Sequence, residues 1–293
     1  MLSIRKLTHT YPNGVRALNN IDLEIPKGMF GLLGPNGAGK SSLMRTIATL
    51  QQPTSGSLHF GNTNILDEPM KLRQVLGYLP QEFGVYPQGS AIKILNHLAI
   101  LKGITHAKER KGVVDGLLKK TNLYDERKRR LANFSGGMLQ RFGIAQALIG
   151  DPKLLIVDEP TAGLDPEERN RFHNLLSEIS ADVVVILSTH IVEDVSVLCP
   201  NMAVMTEGSV KIQGTPAELI GELQGRVWQK VIQKSELEEH KTKYTVISNQ
   251  LIVGNTVVHV NSASNPGEGF EPIQPNLEDV YFSVIAENRH SAN

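Results

Sequence analysis

The sequence predicts an α/β fold built on a mixed β-sheet, with an antiparallel β subdomain, an inserted helical subdomain and a small C-terminal α+β appendage. Three observations favour this fold. A glycine-rich segment at 34–41 follows a short apolar strand and precedes a helical apolar pattern. Two further apolar runs, 154–157 and 183–187, are continuous, as in strands that are buried on both faces of a sheet. Both runs end in polar residues, where open α/β sheets bind their ligands.

The composition of the chain is that of an ordinary globular protein. It has 293 residues, of which 40% are apolar, and 30 basic side chains balance 30 acidic ones. This zero net charge argues against a protein that wraps nucleic acid. The single cysteine, Cys199, excludes an internal disulfide and suits a reducing compartment. No apolar run approaches the roughly eighteen residues of a spanning helix, so we expect a soluble chain that reaches a membrane only through a partner.

Segment 34–41 carries the pattern of a phosphate-binding loop. It reads GPNGAGKS, which matches G-x-x-x-x-G-K-[ST] in the strand–loop–helix context that the motif needs. Glycines let backbone N–H groups converge on an anion, and the next helix adds its positive end. We therefore expect the chain to bind a nucleoside triphosphate, with Lys40 on the outer phosphates and the Ser41 hydroxyl on Mg²⁺. The residues of this loop are Gly34, Pro35, Asn36, Gly37, Ala38, Gly39, Lys40 and Ser41.

Acidic and imidazole side chains follow the two buried strands. Asp158 and Glu159 come directly after 154–157, and His190 follows 183–187 closely. Carboxylates beside a buried strand are costly unless they are paired or bound to a metal, so Mg²⁺ brought by the nucleotide would suit Asp158. Glu159 would then act on water as a general base. His190 would be a phosphate sensor, although a lone histidine is more often structural.

Three further signals are weaker when each is taken alone. Ser135 caps a predicted helix, and Gly136 and Gly137 leave its first N–H groups uncovered, which makes a second anion site or simply a capped helix. Tyr11 would stack on an adenine ring, although an aromatic residue that caps a hairpin is the simpler interpretation. Gln81 follows a strand, and a glutamine in a loop is usually just solvated.

The chain is predicted to divide at about residue 220. Residues 90–131 look helical and, with the helix after them, indicate a helical subdomain at about 90–150 inserted into a domain of residues 1–220. Beyond that domain, alternating apolar stretches and a terminal helix predict the appendage at 221–293.

Taken together, these motifs resemble the nucleotide-binding subunit of an ATP-binding-cassette (ABC) transporter. The resemblance covers about residues 1–220 and rests on elements that follow the family's order. They are the aromatic residue Tyr11, the phosphate loop, the glutamine loop with Gln81, the signature FSGGM at 134–138, LLIVDEP at 154–160, the D-loop with Asp165 and the switch histidine His190. The family implies a P-loop NTPase core and an ATPase that powers transport across a membrane.

The family also implies how these residues bind the nucleotide. Tyr11 would stack on adenine. Lys40, Ser41 and Ser42 would hold the phosphates and Mg²⁺. Asp158 would hold Mg²⁺ through water.

A second set of roles concerns catalysis and coupling. Glu159 would polarise the attacking water, and His190 would contact the γ-phosphate. Gln81 would link the metal and the water to a separate transmembrane permease. The chain would then lie in the cytoplasm, on the inner face of the membrane.

The resemblance further implies that the protein works as a dimer. In this family the signature residues Ser135, Gly136 and Gly137 face the nucleotide of a second subunit. Asp165 of the D-loop is also expected to bind the nucleotide. We therefore expect a homodimer, or a heterodimer with a paralogous subunit, that sandwiches two ATP molecules. Nucleic acid is not an expected partner.

Two features of the sequence bear on where the chain belongs within the family. The signature departs from the common LSGGQ at Phe134 and Met138, but the hydroxyl of Ser135 and the N–H of Gly137 remain, so phosphate binding is expected to survive. The SGGM signature and segment 276–281 resemble subunits of two-component exporters of drugs, lipids or polysaccharides. The alternatives are a soluble cassette ATPase that acts on DNA or ribosomes and a catalytically inactive regulatory cassette.

Overall fold

The computed structural model describes residues 1–81, 84 and 86–291, the last four of them by their backbone alone. Within this part of the chain the strands form three sheets, and other elements pack on both faces of the largest one. The predicted mixed α/β architecture is confirmed. The predicted appendage runs to residue 293, so its last two residues lie outside the described part.

The strands alternate with helices along most of the chain. They are β1 (Leu2–Thr10), β2 (Arg16–Ile25), β3 (Gly28–Leu33), β4 (Ser55–Phe60), β5 (Thr63–Asn64), β6 (Leu76–Leu79), β7 (Leu154–Asp158), β8 (Val184–Thr189), β9 (Asn201–Thr206), β10 (Ser209–Gly214), β11 (Val227–Ile232), β12 (Val246–Ile252), β13 (Asn255–Asn261) and β14 (Glu271–Pro272).

The α-helices are α1 (Lys40–Ile47), α2 (Pro69–Val75), α3 (Ala91–Leu101), α4 (Ala107–Lys120), α5 (Gly136–Ala147), α6 (Pro166–Ile179), α7 (Val192–Leu198), α8 (Pro216–Glu222), α9 (Leu237–Lys243) and α10 (Leu277–Ser291). Short 3₁₀ helices lie at Leu131–Asn133 and Lys234–Glu236. Among the described residues, no helix combines the length and the apolar character that crossing a membrane requires.

The central sheet has the order β10-β9-β3-β8-β7-β6. Strands β6, β7, β8, β3 and β9 run parallel, and β10 is antiparallel to β9, so the sheet is mixed. The register places Asp158 opposite Ser188 and Leu33 opposite Thr189. Because parallel strands end at one edge, the phosphate loop after β3 and the polar residues after β7 and β8 meet there.

Strand β7 shows why the apolar runs are continuous. Leu155 and Val157 belong to a hydrophobic cluster shared with helices α5, α6 and α7, whereas Leu154 and Ile156 belong to a cluster shared with α1 and the antiparallel sheet. All four side chains are fully buried. The predicted burial of this strand on both faces is confirmed, and it fixes the position of the acidic residues at its end.

A separate antiparallel sheet, β2-β1-β4-β5, covers one side of the central sheet. In β2, the predicted alternation is confirmed, because Ile21, Leu23 and Ile25 are buried and the intervening Asp22 and Glu24 are exposed. The loop from β1 to β2 brings Tyr11 towards the phosphate loop.

The helical block at 90–150 contains α3, α4 and α5, which share a hydrophobic cluster of their own. The prediction that residues 90–131 are helical throughout is wrong, because α3 ends at Leu101 and α4 ends at Lys120. Positive φ angles follow both ends, 91° at Gly103 and 53° at Asn122, and a backbone in that region does not continue a right-handed helix.

The C-terminal residues form a third sheet, β12-β13-β11-β14, with α10 packed on β12. Two of the alternating apolar stretches of the appendage, 244–247 and 251–253, largely belong to one strand, β12, which turns into β13 at Gly254. Helix α9 was not predicted. Leu277 and Val280 of α10 lie in the same hydrophobic cluster as Val204 of the central sheet. The division of the chain at residue 220 stays a prediction.

Candidate ATP site at the edge of the central sheet

The phosphate loop joins β3 to α1, as the sequence predicts. Its glycines are needed for space as well as for conformation. Gly39 has a φ of 99°, and a Cβ there would lie 2.4 Å from the carbonyl oxygen of Ala17. A Cβ on Gly34 would lie 2.2 Å from the carbonyl oxygen of Met205. Gly37 has a φ of 82° and faces open space, so the centre of the loop is accessible to a ligand.

A cleft of 680 Å³ opens in front of this loop. It contains most of the predicted nucleotide-binding residues and several that sequence reasoning missed. The predicted residues that line it are Tyr11, Asn36, Gly37, Ala38, Gly39, Lys40, Ser41, Ser42, Gln81 and Glu159, and the additional ones are Val15, Arg16, Ala17, Glu207 and Gly208. The turn between β9 and β10 was predicted, but nothing in its sequence indicated that Gly208 donates to the carbonyl oxygen of Ala38, at 3.0 Å.

Tyr11 both closes the β1–β2 turn and lines the cleft. Its backbone N–H donates to the carbonyl oxygen of Val15, and its hydroxyl lies 3.0 Å from Ser42 Oγ and 3.3 Å from Gln51 Oε1. The edge of the His9 ring packs against it with a centroid distance of 4.6 Å. The tyrosine ring is therefore held beside α1, at one end of the cleft.

Three predicted catalytic and nucleotide-binding side chains converge on Glu159. His190 Nδ1 lies 3.1 Å and Gln81 Nε2 lies 3.4 Å from Glu159 Oε2, while Lys40 Nζ lies 3.5 Å from Oε1. Glu159 itself is 7% exposed and has a positive φ of 48°, which is uncommon for a residue other than glycine. Its N–H donates to the carbonyl oxygen of Ser188, at 2.8 Å, and this bond holds the unusual backbone in place.

Lys40 is almost completely buried at the start of α1. Its ammonium donates to the carbonyl oxygens of Gly34, at 2.7 Å, and Pro35, at 3.1 Å, in addition to its ion pair with Glu159. Burial lowers the pKa of Lys40, and the charge of Glu159 offsets part of that effect. The ammonium is therefore held at the loop by two carbonyl oxygens and one carboxylate, which offset only part of the cost of its burial.

Asp158 is the last residue of β7 and is 3% exposed. Burial raises the pKa of its carboxyl group, and the hydroxyl groups of Ser188 and Ser41 offset part of the increase. Its Oδ1 atom is buried and makes no hydrogen bond of normal geometry to any described residue. Ser188 is a neighbour that the sequence analysis did not identify. This acidic group lacks the compensation that buried carboxylates normally have.

The signature segment lies at the start of α5 and does not line the cleft. Ser135 Oγ accepts a hydrogen bond from the N–H of Met138, at 3.2 Å, so the predicted cap is confirmed. Gly136 has open space around it, whereas a Cβ on Gly137 would lie 2.5 Å from Glu168 Oε2. The signature therefore presents uncovered backbone to solvent on one side and packs against α6 on the other.

Asp165 caps α6 beside the signature. Its Oδ1 accepts a hydrogen bond from the N–H of Glu168, at 2.8 Å, and Glu168 in turn pairs with the buried Arg141 of α5 at 3.3 Å. Asp165 is exposed and, like the signature, it is not among the residues that line the cleft. The structure therefore brings the predicted site residues together in two groups, one around the phosphate loop and one at the starts of α5 and α6.

Comparisons with known proteins identify the family to which the chain is similar. Residues 18–162 match a family model described as "ABC transporter". The chain is 31% identical over 301 residues to the uncharacterized ABC transporter ATP-binding protein YxlF of Bacillus subtilis (strain 168), with 97% of this chain and 99% of YxlF covered. It is 35% identical over 210 residues to the linearmycin resistance ATP-binding protein LnrL of the same organism, with 71% and 67% covered.

Among solved structures, the chain is similar to the dimeric structure of a post-hydrolysis state of the ATP-binding cassette MJ0796 bound to ADP and Pi. The TM-score is 0.67 at 27% identity, and the match covers 73% of this chain and 98% of that one. The chain therefore belongs to the ABC transporter family, of which it is an ATP-hydrolysing cassette.

Proposed function

We propose that this cassette hydrolyses ATP in the cleft beside Glu159 and uses the energy to drive export through a separate transmembrane permease. The observation that carries the proposal is the convergence of Lys40, Gln81 and His190 on the carboxylate of Glu159. A carboxylate in this position, in front of a phosphate loop, is suited to take a proton from water. Another relative, the Nod factor export ATP-binding protein I of Cupriavidus metallidurans, supports export as the direction.

In the proposed mechanism each group has a distinct task. Lys40 exchanges its contacts with the carbonyl oxygens of Gly34 and Pro35 for the phosphates, whose charge compensates its buried ammonium. When Lys40 moves to the phosphates, its ion pair with Glu159 is released. The carboxylate of Glu159 then orients the attacking water and accepts its proton. His190 stays on Glu159 Oε2 and contacts the γ-phosphate.

The remaining residues of the cleft bind the nucleotide. The backbone N–H groups of segment 34–42 surround the phosphates. The face of Tyr11 accepts the adenine ring, since the hydroxyl contact with Ser42 fixes the edge of the ring and not its face.

The residues around Asp158 fit a magnesium ion. The buried, unpartnered Oδ1 of Asp158 and its raised pKa indicate a carboxylate that needs a positive partner, and the hydroxyl of Ser41 is an oxygen ligand of the kind that Mg²⁺ takes. Ser41, Asp158 and Gln81 would hold the ion. When bound, Mg²⁺ neutralises charge that develops on the phosphate oxygens.

We further propose that a second copy completes the site. The start of α5, with Ser135, Gly136 and Gly137, is suited to bind an anion. These three residues do not line the cleft of their own chain, so they cannot contact a nucleotide bound there. In a dimer, the signature of one subunit would cover the cleft of the other, with two ATP molecules between them. The dimeric structure of the relative MJ0796 supports this arrangement. A paralogous subunit would serve equally well as the second copy.

A groove beside Gln81 is the surface that we assign to the permease. The groove has a volume of 580 Å³ and lies between α2, β6 and α3. Its rim carries two strongly exposed apolar side chains, Met70 and Leu101. Leu76, Gly77 and Tyr78 of β6 line the groove. Strand β6 ends at Leu79, two residues before Gln81, so this one short strand connects the groove to the residue that contacts Glu159. We propose that a cassette bound to its permease in this way lies on the cytoplasmic face of the membrane.

The experiment that tests this function is co-purification with a candidate transmembrane permease from the same genome. We expect the wild-type cassette to be recovered from detergent-solubilised membranes with that protein. Met70→Asp and Leu101→Asp should each release the cassette from the complex, because a carboxylate would lie at an apolar contact. Val253→Asp, at an even more exposed apolar residue of the appendage, is the control and should stay bound. A wild-type cassette that never associates with the membrane protein would contradict the proposal.

A further inference from the structure

Asp194 of α7 is a fully buried carboxylate that binds two threonine hydroxyls through one oxygen. Its Oδ2 accepts hydrogen bonds from Thr161 Oγ1, at 2.5 Å, and from Thr189 Oγ1, at 3.4 Å. The side chain of Asp194 is 0% exposed. A buried carboxylate that is fully paired cannot move without leaving charged or polar groups unsatisfied.

The other oxygen of Asp194 is bound by basic side chains of α6. Arg169 Nε and His173 Nε2 each lie 2.8 Å from Oδ1. Arg169 also pairs with Glu193, at 2.9 Å. The carboxylate is therefore compensated on Oδ1 and anchored to two helices, which leaves Oδ2 as a fixed acceptor for the two threonines.

The positions of the two threonines give this network its significance. Thr161 lies two residues after Glu159, and Thr189 directly precedes His190. The hydroxyl of Thr189 also accepts a hydrogen bond from the N–H of Ile191, at 3.0 Å, so it holds the backbone on both sides of His190. A single oxygen atom thus connects the loops that follow β7 and β8, which carry the two side chains of the Glu159–His190 contact.

We propose that Asp194 is a positioning residue that fixes the distance between Glu159 and His190. This inference rests on the proposed function of those two side chains. Asp194 lies outside the residues that line the cleft, so it acts on hydrolysis only through the loops that it holds. Neither threonine alone could set a distance between two loops, because each one holds a single loop. Both hydroxyls are required together.

This requirement has a measurable consequence. Removing the hydrogen bond of either threonine to Asp194 uncouples the two loops. Removing the second hydrogen bond as well should therefore change their relative position little further. Thr161→Val and Thr189→Val keep the volume near that of threonine and leave Arg169 and His173 on Oδ1. Each substitution should lower kcat by on the order of tenfold with KM for ATP unchanged, since misplacement of catalytic groups by about 1 Å costs up to about 100-fold. The double variant should have the kcat of the single variants within about twofold.

The matched control is Thr121→Val directly after α4, where a buried threonine donates to the carbonyl oxygen of Leu117 and does not line the cleft. It should leave kcat unchanged. Steady-state ATP turnover of all variants, with thermal unfolding to verify folding, tests the inference. It is overturned if the single variants turn over ATP like the wild type, if Thr121→Val loses as much activity, or if the losses multiply in the double variant. Wild type and Glu159→Gln are measured alongside, because equal rates in those two would contradict the proposed function itself rather than the positioning role.

Discussion

His190 Nδ1 lies 3.1 Å from Glu159 Oε2, although the two residues are separated by 31 positions in the chain. The contact follows from the parallel pairing of β7 with β8, which brings the residues after both strands to one edge of the sheet. The positive φ of Glu159 turns its side chain towards the phosphate loop, where Lys40 approaches the other carboxylate oxygen. The hydrolysis that we propose would therefore depend on groups that three different strands bring together.

Replacing Asp158 should stabilise the nucleotide-free protein. Burial raises the pKa of this carboxyl group, so its charged form costs folding free energy at neutral pH. Asp158→Asn removes that charge at nearly constant volume, and we expect a gain of about 0.5–2 kcal/mol in the free energy of unfolding, seen as a rise of a few degrees in Tm. Asp151→Asn, at an exposed aspartate just before β7, should have almost no effect.

The difference in free energy of unfolding between Asp158→Asn and wild type should depend on pH in a direction that the raised pKa of Asp158 determines. A carboxyl group whose folded-state pKa lies above its unfolded value destabilises the fold above the folded pKa, and the penalty disappears as the pH falls below the unfolded value of 3.8. The stability difference between Asp158→Asn and wild type should therefore shrink on acidification. Thermal unfolding without magnesium between pH 7 and about pH 4 measures it. A difference that grows on acidification would contradict the burial of a charged Asp158.

The two signature glycines should respond differently to alanine. A Cβ on Gly137 would lie 2.5 Å from Glu168 Oε2 and 2.6 Å from its Cδ, so Gly137→Ala should displace Glu168 from Arg141. We expect a loss of about 1–3 kcal/mol in the free energy of unfolding, the usual cost of overpacking. Gly136→Ala meets no atom within 4 Å and should be neutral. Urea unfolding measures the free energy of unfolding of both variants. Equal values would contradict this prediction, because they would show that Glu168 moves away from the new Cβ at no cost in stability.

Dimer formation should require ATP and an open signature. Glu159→Gln removes the proposed base and traps the bound ATP, so light scattering should show the mass doubling from 32.2 kDa with ATP and magnesium but not with ADP. Adding Gly136→Arg fills the open space at the signature without disturbing its own chain, and it should keep the protein monomeric. A Glu159→Gln protein that stays monomeric at saturating ATP would rule out the sandwich.

The motifs of this site could be predicted because each is a short contiguous segment whose chemistry needs particular residue types. GPNGAGKS indicates phosphate binding by sequence alone, and the acids at the end of β7 favour a metal-bound nucleotide. The phosphate contact of His190 is predicted mainly through the order of the family's motifs. The parallel sheet then adds their proximity, since its strand ends meet. The helix ends at Leu101 and Lys120 were missed because a helical apolar pattern continued past both.

The Asp194 network could not be predicted for a different reason. Its members come from four separate segments. Thr161 and Thr189 adjoin LLIVDEP and His190, but neither threonine is part of the motif beside it, and Asp194 and Arg169 lie outside all of the motifs. Thr161, Arg169 and Thr189 look like ordinary polar residues in sequence, and a buried aspartate on α7 cannot be told from an exposed one. The same holds for Gly208, whose contact with the phosphate loop depends on how the β9–β10 hairpin folds over it.

The most direct test of the whole account is steady-state ATP turnover by the purified chain. Wild type should hydrolyse ATP, and Glu159→Gln should lower kcat about 100-fold or more, the usual contribution of a general base. Lys40→Ala should lose turnover through loss of nucleotide binding. Glu222→Gln, at an exposed glutamate of α8, should match the wild type. A Glu159→Gln protein that keeps the wild-type rate would contradict the assignment of hydrolysis to this cleft.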